Sequence, residues 1–471
     1  MKNRFVLAGV ANLGLLFGVL AGPGVHVAAA QGRAVESKNM EVIGYNDLQG
    51  RSAYQPIIHH QGNRWIAYVG LHAGAEMNPL TGKKEGNGTM VVDVTDPRKP
   101  VALAHIPGDR LNPEKNADGQ MVRACNIAGG TYLLRDAALK TRVELWDVTD
   151  PAHPRFVTTV VDGLKDTHKN WWECDTGIAY LPVWDPKWRA RMTKIYNLSD
   201  PAKPVFIRDF GLIGQEPGST MADIPPVIHG QISYNGRVYF AYGSSNHGIV
   251  QIIDRERLVK GDKPPTPENL LAPQISRLDL APWWGGHTTY PLLNVPIADF
   301  QTDSQGKVRD FLVLASETVA IMCQGPRHPL FFVEMTDPTK PMPVSNFQVP
   351  ESSGHFCERG GRFGPHSVQE SFNPIYYKKL IFVAYFNAGV RAVDVRDPFR
   401  PTEAGYYIPT TTDKTKPVCG KINGQDVCKT AIQTNNVEVD DRGWIYIVDR
   451  ASTGMHILGL TSEARAIANI P

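Results

Sequence analysis

The sequence predicts an all-β fold, a seven-bladed β-propeller in which an N-terminal strand completes the last blade. Three observations predict it. A short phrase recurs along the chain, a turn followed by an apolar strand precedes each copy, and the two chain ends fit together as parts of one repeat. Self-similarity at a period of several tens of residues, with strands in each period, is typical of propeller blades.

The recurring phrase is an apolar strand that ends in Asp-Val-Thr-Asp-Pro or a close variant. Its clear copies end at Asp96-Pro97, Asp150-Pro151, Asp200-Pro201, Asp337-Pro338 and Asp397-Pro398. Two divergent copies bring the total to seven, with equivalent positions at residues 93, 147, 197, 254, 334, 394 and 459. Each interval is long enough for four short strands and their turns. The longest, from 254 to 334, predicts an insertion around Val295 to Val308.

A second element precedes each of these positions. Asn235-Gly236 and Arg442-Gly443 are followed by alternating β-branched and aromatic residues, a pattern typical of hairpins. The last repeat stops soon after its equivalent position, whereas Glu41 to Tyr45 forms a strand-like run before the first repeat. We expect this run to complete the last repeat, which would remove the exposed edge of an open sheet.

The first thirty residues predict a secretory signal peptide. Lys2 and Arg4 precede an apolar run from Phe5 to Leu20, and Ala28 to Ala30 provide small residues for cleavage. The rest of the chain, residues 31–471, is then expected to form one soluble propeller domain. This domain would be periplasmic or secreted.

The charge balance excludes some partners. The chain has 49 Lys and Arg against 47 Asp and Glu, a net charge of +2. Such a balance does not favour binding to nucleic acid, and no apolar stretch after the leader is long enough for membrane insertion. A small-molecule substrate, or a protein partner on one face of the propeller, remains open.

Six cysteines in an exported chain predict disulfides. Cys419 and Cys428 flank an Asn-Gly turn, which indicates a hairpin closed by a bridge. The sequence leaves open the pairing of the other four, which are Cys125, Cys174, Cys323 and Cys357.

The recurring phrase, together with the Gly-Val-Arg-Ala-Val-Asp-Val strand at residues 389–395, resembles the LVIVD-repeat family of exported β-propellers. The resemblance covers nearly all of the chain after the leader and implies the propeller fold. It implies no particular activity, because propellers host many unrelated functions.

When the repeats are aligned, four histidines occupy one column at the start of the first strand: His168, His229, His287 and His366. Equivalent positions in propeller blades form a ring around the axis, so these side chains should converge on one end of the central channel. The adjacent pair His59 and His60 lies two or three residues out of register.

The other three repeats place no histidine in this column. The first has Gln55 or Pro56, the second has about Arg123, and the seventh has Asn435 or Asn436. The four histidines therefore span an arc of the ring.

Converging neutral imidazoles are common ligands of iron, copper and zinc. We predict a metal held by the four histidines, iron or copper before zinc, with Glu173, Glu317 and Glu370 orienting the rings from a second shell. The architecture is similar to that of the carotenoid-cleavage oxygenases and the selenium-binding-protein family, whose sequence motifs are absent here. The alternative is that the histidines form hydrogen bonds between strand ends without a metal.

Two tryptophan pairs adjoin the histidines, Trp171-Trp172 and Trp283-Trp284. They could form the walls of a pocket for an apolar or aromatic substrate, or could pack between blades. Arg123 could bind a carboxylate or an oxygenated intermediate if it reaches the axis. Contributions to catalysis are predicted for Arg123, Trp172 and Trp284.

Three functions fit these features. The first is a metal-dependent oxidoreductase or oxygenase that acts on a small apolar or aromatic substrate. The second is a non-catalytic propeller that binds a protein or a small ligand. The third is a zinc-dependent hydrolase that uses the same histidines.

Overall fold

The computed structural model describes residues 34–298, 302 and 306–470, and within them the chain forms a seven-bladed β-propeller. Seven antiparallel sheets surround a central axis. Gln55, on the first strand of blade 1, donates a hydrogen bond to Glu370 in blade 6, so the first strand of a blade lies innermost. The predicted fold class and the predicted number of blades are confirmed.

Blades 1 to 3 occupy the first part of the chain. Two strands precede them, β1 (Glu36–Lys38) and β2 (Met40–Asn46). The strands of blade 1, including two short additions to β4, are β3 (Ala53–Gln61), β4 (Arg64–Asn78), β5 (Lys83–Gly86), β6 (Gly88–Asp93), β7 (Val101–Pro107) and β8 (Ala117–Gly119). Those of blades 2 and 3 are β9 (Val122–Ile127), β10 (Gly130–Ala137), β11 (Arg142–Asp147), β12 (Arg155–Val161), β13 (Asp166–Thr167), β14 (Trp171–Trp172), β15 (Ile178–Trp184), β16 (Met192–Asn197) and β17 (Val205–Phe210).

Blades 4 to 7 complete the ring. The strands of blades 4 and 5 are β18 (Ile228–Tyr234), β19 (Arg237–Tyr242), β20 (Ile249–Asp254), β21 (Gln274–Asp279), β22 (Thr288–Pro296), β23 (Val308–Ala315), β24 (Leu330–Glu334) and β25 (Met342–Phe347). Those of blades 6 and 7, with an added hairpin of β29 and β30, are β26 (Leu380–Ala384), β27 (Val390–Asp394), β28 (Thr402–Ile408), β29 (Pro417–Ile422), β30 (Gln425–Thr430), β31 (Thr434–Val439), β32 (Ile445–Asp449) and β33 (Met455–Leu460).

Helices are short and lie in the connections or at the C-terminal end. Within the described residues the α-helices are α1 (Arg255–Lys260), α2 (Pro267–Leu271), α3 (Phe356–Arg359) and α4 (Ser462–Ala468). In the same part of the chain 3₁₀ turns cover Leu48–Gly50 and Glu351–Gly354. The longest repeat interval contains α1 and α2 as well as the predicted insertion between β22 and β23. Residues 299–301 and 303–305 of that insertion lie outside the described residues.

The N-terminal strand closes the ring as the sequence predicts. β2 pairs with β33 in antiparallel register, from Met40 opposite Leu460 to Asn46 opposite Met455. β1 adds to the outer edge of β28 in blade 6, which the sequence did not suggest. Strands from the two ends of the chain therefore share blade 7, and no blade edge is left open between the first and the last repeat.

The recurring phrase forms the turn at the end of the third strand of a blade. The carboxylate of Asp93 accepts a hydrogen bond from the backbone N–H of Thr95, and that of Asp96 accepts one from the N–H of Arg98. Aspartate favours such turns because its side chain can replace a backbone acceptor two residues along the chain. The recurring phrase therefore stabilises the turn.

All six cysteines form disulfides. The predicted bridge Cys419–Cys428 joins β29 to β30, and its residues lie directly opposite each other in the hairpin. The structure also settles the pairing that the sequence left open, as Cys125–Cys174 and Cys323–Cys357. Three disulfides indicate an oxidising, extracytoplasmic compartment.

The predicted signal peptide lies outside the described residues. In the part of the chain that the structure describes, no helix is long and apolar enough to cross a membrane.

Candidate metal centre

All four predicted histidines meet at one end of the central channel. Adjacent ring centroids are 4.3 Å apart for His168 and His229, 3.6 Å for His229 and His287, and 4.3 Å for His287 and His366. The four residues are 8%, 1%, 1% and 1% exposed, respectively. The sequence alignment of the repeats therefore placed these side chains correctly relative to one another.

Backbone pairing to the second strand of each blade sets this common position. The N–H of His168 donates to the carbonyl of Pro182, that of His287 to Ala315 and that of His366 to Ala384. His229 lies within β18. Because each histidine starts or precedes the innermost strand of its blade, the ring geometry directs the four side chains toward the axis.

Hydrogen bonds at Nδ1 determine which nitrogen of each ring faces the centre. Nδ1 of His229 donates to the carbonyl oxygen of His287 at 2.8 Å, and Nδ1 of His366 donates to that of Asn435 at 2.5 Å. A ring nitrogen that faces a carbonyl oxygen must carry the hydrogen, since the oxygen can only accept. In the neutral rings Nε2 of His229 and Nε2 of His366 then have no hydrogen, so each can offer a lone pair to a metal; in this structure that of His229 accepts the Nε2–H of His168.

In His287 the group that faces Nδ1 is a side-chain hydroxyl and not a backbone carbonyl. Its Nδ1 lies 2.7 Å from Oγ1 of Thr288, and that hydroxyl also accepts a hydrogen bond from Nζ of Lys169 at 2.8 Å. The hydroxyl can donate its own hydrogen to Ser367, whose Oγ is 3.2 Å away. When the hydroxyl does so, Nδ1 of His287 is the donor to Thr288 and Nε2 is the free nitrogen.

Glu317 faces these free nitrogens. One carboxylate oxygen is 4.0 Å from Nε2 of His287 and the other is 3.7 Å from Nε2 of His366. The ligand atoms of His229, His287 and Glu317 all lie within 4.8 Å of one another. Nε2 of His287 is buried and has no hydrogen-bond partner among the described residues. A buried polar atom without a partner costs about 1–3 kcal/mol, so this nitrogen fits a metal ligand.

His168 extends the group. Its Nε2 is 2.8 Å from Nε2 of His229, and its Nδ1 is buried without a hydrogen-bond partner among the residues described. Together, the four histidines and Glu317 form what we call the histidine cluster. Two histidines and one carboxylate within ligand distance of each other, with two further imidazoles beside them, suit iron, copper or zinc.

The imidazoles are held in their neutral form. Burial, with added repulsion from neighbouring positive groups, lowers the pKa of each of the four histidines well below the usual value. A neutral imidazole is the form that binds a metal, so at pH 7 no proton has to leave before a metal enters.

Two residues beside the cluster, Tyr54 and His72, were not predicted from the sequence. The Tyr54 ring lies 4.8 Å from that of His72, 5.9 Å from that of His168 and 5.6 Å from that of His366. Burial, and secondarily the charge of Glu317, raises the pKa of Tyr54. The alignment had placed Gln55 or Pro56 in the column. A bulge in β3, where Ala53 pairs with Leu71 but Pro56 with Val69, displaces the register there.

Two of the three predicted second-shell carboxylates bind elsewhere. Glu173 forms an ion pair with Arg255 and accepts a hydrogen bond from Tyr180. Glu370 pairs with Arg123 and Lys169 deeper in the channel. Their assignment as partners of the histidines needs correction, because the second ring nitrogens are held by two backbone carbonyls and a threonine hydroxyl. Glu317, predicted for the second shell, presents its carboxylate to the free nitrogens themselves.

The residues predicted to contribute to catalysis also lie away from the cluster. Arg123 donates from Nε to the carbonyl of Asn170 and is bound to Glu370. Trp172 is buried in the apolar core between blades. The indole of Trp284 packs 4.9 Å from Phe331 and donates to a backbone carbonyl. No described contact joins these three side chains to the histidines.

His59 and His60 are remote from the cluster, as the register predicts. Nε2 of His59 is 2.9 Å from the side-chain oxygen of Asn126. His60 stacks on Trp65 and its Nδ1 lies 3.2 Å from a carboxylate oxygen of Asp441.

An open cleft of about 820 Å³ adjoins the cluster on the side of blade 4. Its walls include Val227, Gly243 and Ser244, and the carbonyl of Ser244 accepts the backbone N–H of Glu317. Met221 and Ile224, which are 47% and 51% exposed, contribute apolar surface to it. A small molecule in this cleft would therefore lie beside the loop that carries Glu317.

Comparisons with known proteins identify no family for this chain. No protein-family model matches the chain, and no curated protein matches it. Among solved structures it is similar to Sqt1 from Chaetomium thermophilum, with 9% identity and a TM-score of 0.49 over 89% of this chain and 99% of that one. It is also similar to Kuenenia stuttgartiensis hydrazine synthase, with 10% identity and a TM-score of 0.47 over 88% and 96%.

The computationally designed Ika8 protein is similar at the same level, with 7% identity and a TM-score of 0.44 over 89% of this chain and 99% of that one. At such identities and scores none of these likenesses supports an argument about function.

Proposed function

We propose that this protein is an exported metal-dependent oxidoreductase or oxygenase that acts on a small molecule at the mouth of the propeller channel. The observation that supports it best is the close approach of His229, His287 and Glu317, whose ligand atoms lie within 4.8 Å of one another. Two histidines and one carboxylate, with positions left for other ligands, are the set used by non-haem Fe(II) oxygenases.

The surrounding residues support the proposal by holding the ligands in place. Carbonyl oxygens of His287 and Asn435 fix the tautomers of His229 and His366, and Thr288 does the same for His287. Such outer hydrogen bonds orient metal ligands and raise their basicity. A bound iron or copper would supply the one-electron and dioxygen chemistry that amino-acid side chains lack.

The substrate proposal changes in one respect. The expected tryptophan walls are not at the cluster, so an apolar pocket cannot be assigned to Trp172 and Trp284. Support for a partly apolar substrate comes instead from the cleft beside Ser244 and from the exposed Met221 and Ile224 that line it.

Zinc-dependent hydrolysis is the second candidate, and one observation favours it. A catalytic zinc site needs three protein ligands, and two histidines with one glutamate are such a set. A non-catalytic LVIVD-type propeller, in which the histidines bond only to each other and to the backbone, is the remaining alternative.

Metal content separates these candidates. The purified protein should contain iron or copper at about one atom per chain by elemental analysis, and His287→Ala and His366→Ala should each lower this at least about tenfold, because each removes a lone-pair donor. The matched control is the double variant His59→Ala/His60→Ala, which removes two histidines that lie away from the cluster.

Stoichiometric zinc that is lost in the same two variants would favour the hydrolase. A protein that takes up none of Fe²⁺, Cu²⁺ or Zn²⁺ after metal removal and refilling would contradict both enzyme proposals and leave the binding propeller. Thermal unfolding of each variant would establish that loss of metal is not loss of fold.

A further inference from the structure

Arg450 lies at the rim of the histidine cluster. It follows β32 directly, and its guanidinium carbon is 5.9 Å from the centre of the Phe386 ring. The guanidinium carbon of Arg362 is 5.3 Å from the same ring centre, and the ring of His366 is 5.1 Å from it. Phe386 thus has two guanidinium groups and one imidazole of the cluster around it.

The two arginines differ in their partners. Nη1 of Arg362 forms an ion pair with Glu317 at 2.8 Å. Arg450 is half-buried, and its guanidinium makes no direct ion pair or hydrogen bond among the described residues, although the charges of Glu317 and Asp449 act on it at longer range. Arg362 therefore contacts its counter-charge directly, whereas Arg450 does not.

The nearest acidic residue in sequence, Asp449, acts on Arg450 through its charge but makes its hydrogen bonds elsewhere. The carboxylate of Asp449 accepts hydrogen bonds from the backbone N–H groups of Gln433, Ala451 and Thr453. The guanidinium of Arg450 consequently stands at the rim of the cluster without a contacting carboxylate among the described residues.

Keeping such a cation is costly. Burial, followed by repulsion from Arg362, lowers the pKa of Arg450 to about 10. A guanidinium this close to a second one, and partly out of water, is stabilised when an anion binds it.

We infer that Arg450 binds the anionic group of the substrate, a carboxylate, at the rim of the histidine cluster. A guanidinium fork matches a carboxylate in shape and can form two parallel hydrogen bonds with it. This inference rests on the proposed function for the identity of the site, and it narrows the substrate class to small carboxylates.

The test compares two probes of nearly equal shape, benzoate and its neutral analogue benzamide, by calorimetric titration of the metal-free protein. We expect benzoate to bind at least about tenfold more tightly than benzamide, because only benzoate offers the guanidinium of Arg450 a charged acceptor. Removing the metal excludes direct ligation of the carboxylate to it. Arg450→Gln should abolish the preference, and Arg450→Lys should keep part of it because the charge remains.

The matched control is Arg400→Gln, which removes an exposed arginine from the turn after β27 and should leave the preference unchanged. Equal binding of the two probes to the wild type, or a preference that survives Arg450→Gln, would overturn the inference. The preference is measured without metal and the metal content without probe. A protein that binds metal but does not prefer benzoate would contradict only the Arg450 site, and the reverse result would contradict only the metal proposal.

Discussion

Two neighbouring layers of the central channel differ in how their polar groups are satisfied. The histidine cluster at the mouth contains neutral rings, and Nε2 of His287 and Nδ1 of His168 have no hydrogen-bond partner within the described chain. One layer deeper, Lys169 and Arg123 both contact the carboxylate of Glu370, and we call these three residues the axial ion cluster. In the histidine cluster, ring nitrogens are left without hydrogen-bond partners. In the axial ion cluster, the charged side chains pair with one another.

The pKa of Glu370 shows the effect of this internal pairing. Burial alone would raise the pKa of this carboxyl, but Arg123 and Lys169 together lower it to about 2. Glu370 is 3% exposed and Lys169 is 2% exposed, so each charge depends on the other for stabilisation. The comparison indicates that the axial ion cluster holds blades 2, 3 and 6 together, while the histidine cluster is arranged to bind something that enters from outside.

Removing the central carboxylate should have the largest effect. Glu370→Gln removes the carboxylate that Arg123 and Lys169 both contact, and breaking a buried ion pair in this way costs about 3–5 kcal/mol. Chemical denaturation should show this loss in the free energy of unfolding. His287→Ala should cost less, because its Nε2 loses no protein partner. An equal loss for both variants would remove the distinction between the two layers.

The control for Glu370→Gln is Glu256→Gln, which changes an exposed glutamate paired with Lys260 on the same short helix. Exposed pairs of this kind contribute about 0–1 kcal/mol, so little change is expected.

The pH dependence of the free energy of unfolding should report the protonation of a second carboxyl in the deeper layer, that of Glu438. Burial, with a further contribution from Glu370, raises the pKa of Glu438 from 4.5 to about 7. Between these two values the unfolded chain releases the proton and the folded chain keeps it, so this residue makes stability fall as pH rises from about 4.5 to 7. The shift corresponds to about 3 kcal/mol.

Denaturation of wild type and Glu438→Gln across this pH range measures that contribution. The free energy of unfolding of Glu438→Gln, relative to that of the wild type, should increase as pH rises to 7. Above pH 7 the difference between the two proteins should stay constant. A difference that does not change with pH would show that Glu438 is not held protonated.

The smallest effect on stability is expected from removing the hydroxyl of Thr288, which joins the two layers. Thr288→Val removes the group that lies between Lys169 and His287, so it should lower stability by about 1–2 kcal/mol. Because the tautomer of His287 would no longer be fixed, metal affinity should fall about 10- to 100-fold. Thr288→Ser keeps the hydroxyl and serves as the control. Unchanged metal affinity in Thr288→Val would mean that the layers are independent.

Much of the fold follows from the sequence because the blades repeat. The apolar strand before Asp-Pro recurs with its turn residues, so the third strand of most blades and the number of blades could be counted directly. Closure by Glu41 to Tyr45 followed from the missing strand of the last repeat. The addition of β1 to blade 6 had no such signal, because three mostly exposed residues carry no pattern that names a partner strand.

The site could be predicted from the sequence only where the strand register of the repeats is regular. His168, His229, His287 and His366 could be aligned because regular strands lead into them. Tyr54 was missed because a bulge in β3 displaces the count. Glu370 was assigned to the histidines from its position in sequence, yet its side chain points to cations on two other blades.

The sequence by itself determined the seven blades, their closure and the set of histidines on one ring, since each of these depends on a local pattern repeated along the chain. Only the tertiary structure decided which carboxylate faces the ring nitrogens and which is taken up by Arg123 and Lys169. It also decided that the guanidinium of Arg450 has no contacting carboxylate among the described residues. These outcomes depend on distances across the channel between residues far apart in sequence, and hydrogen-bond and charge pairing at those distances follows no sequence period.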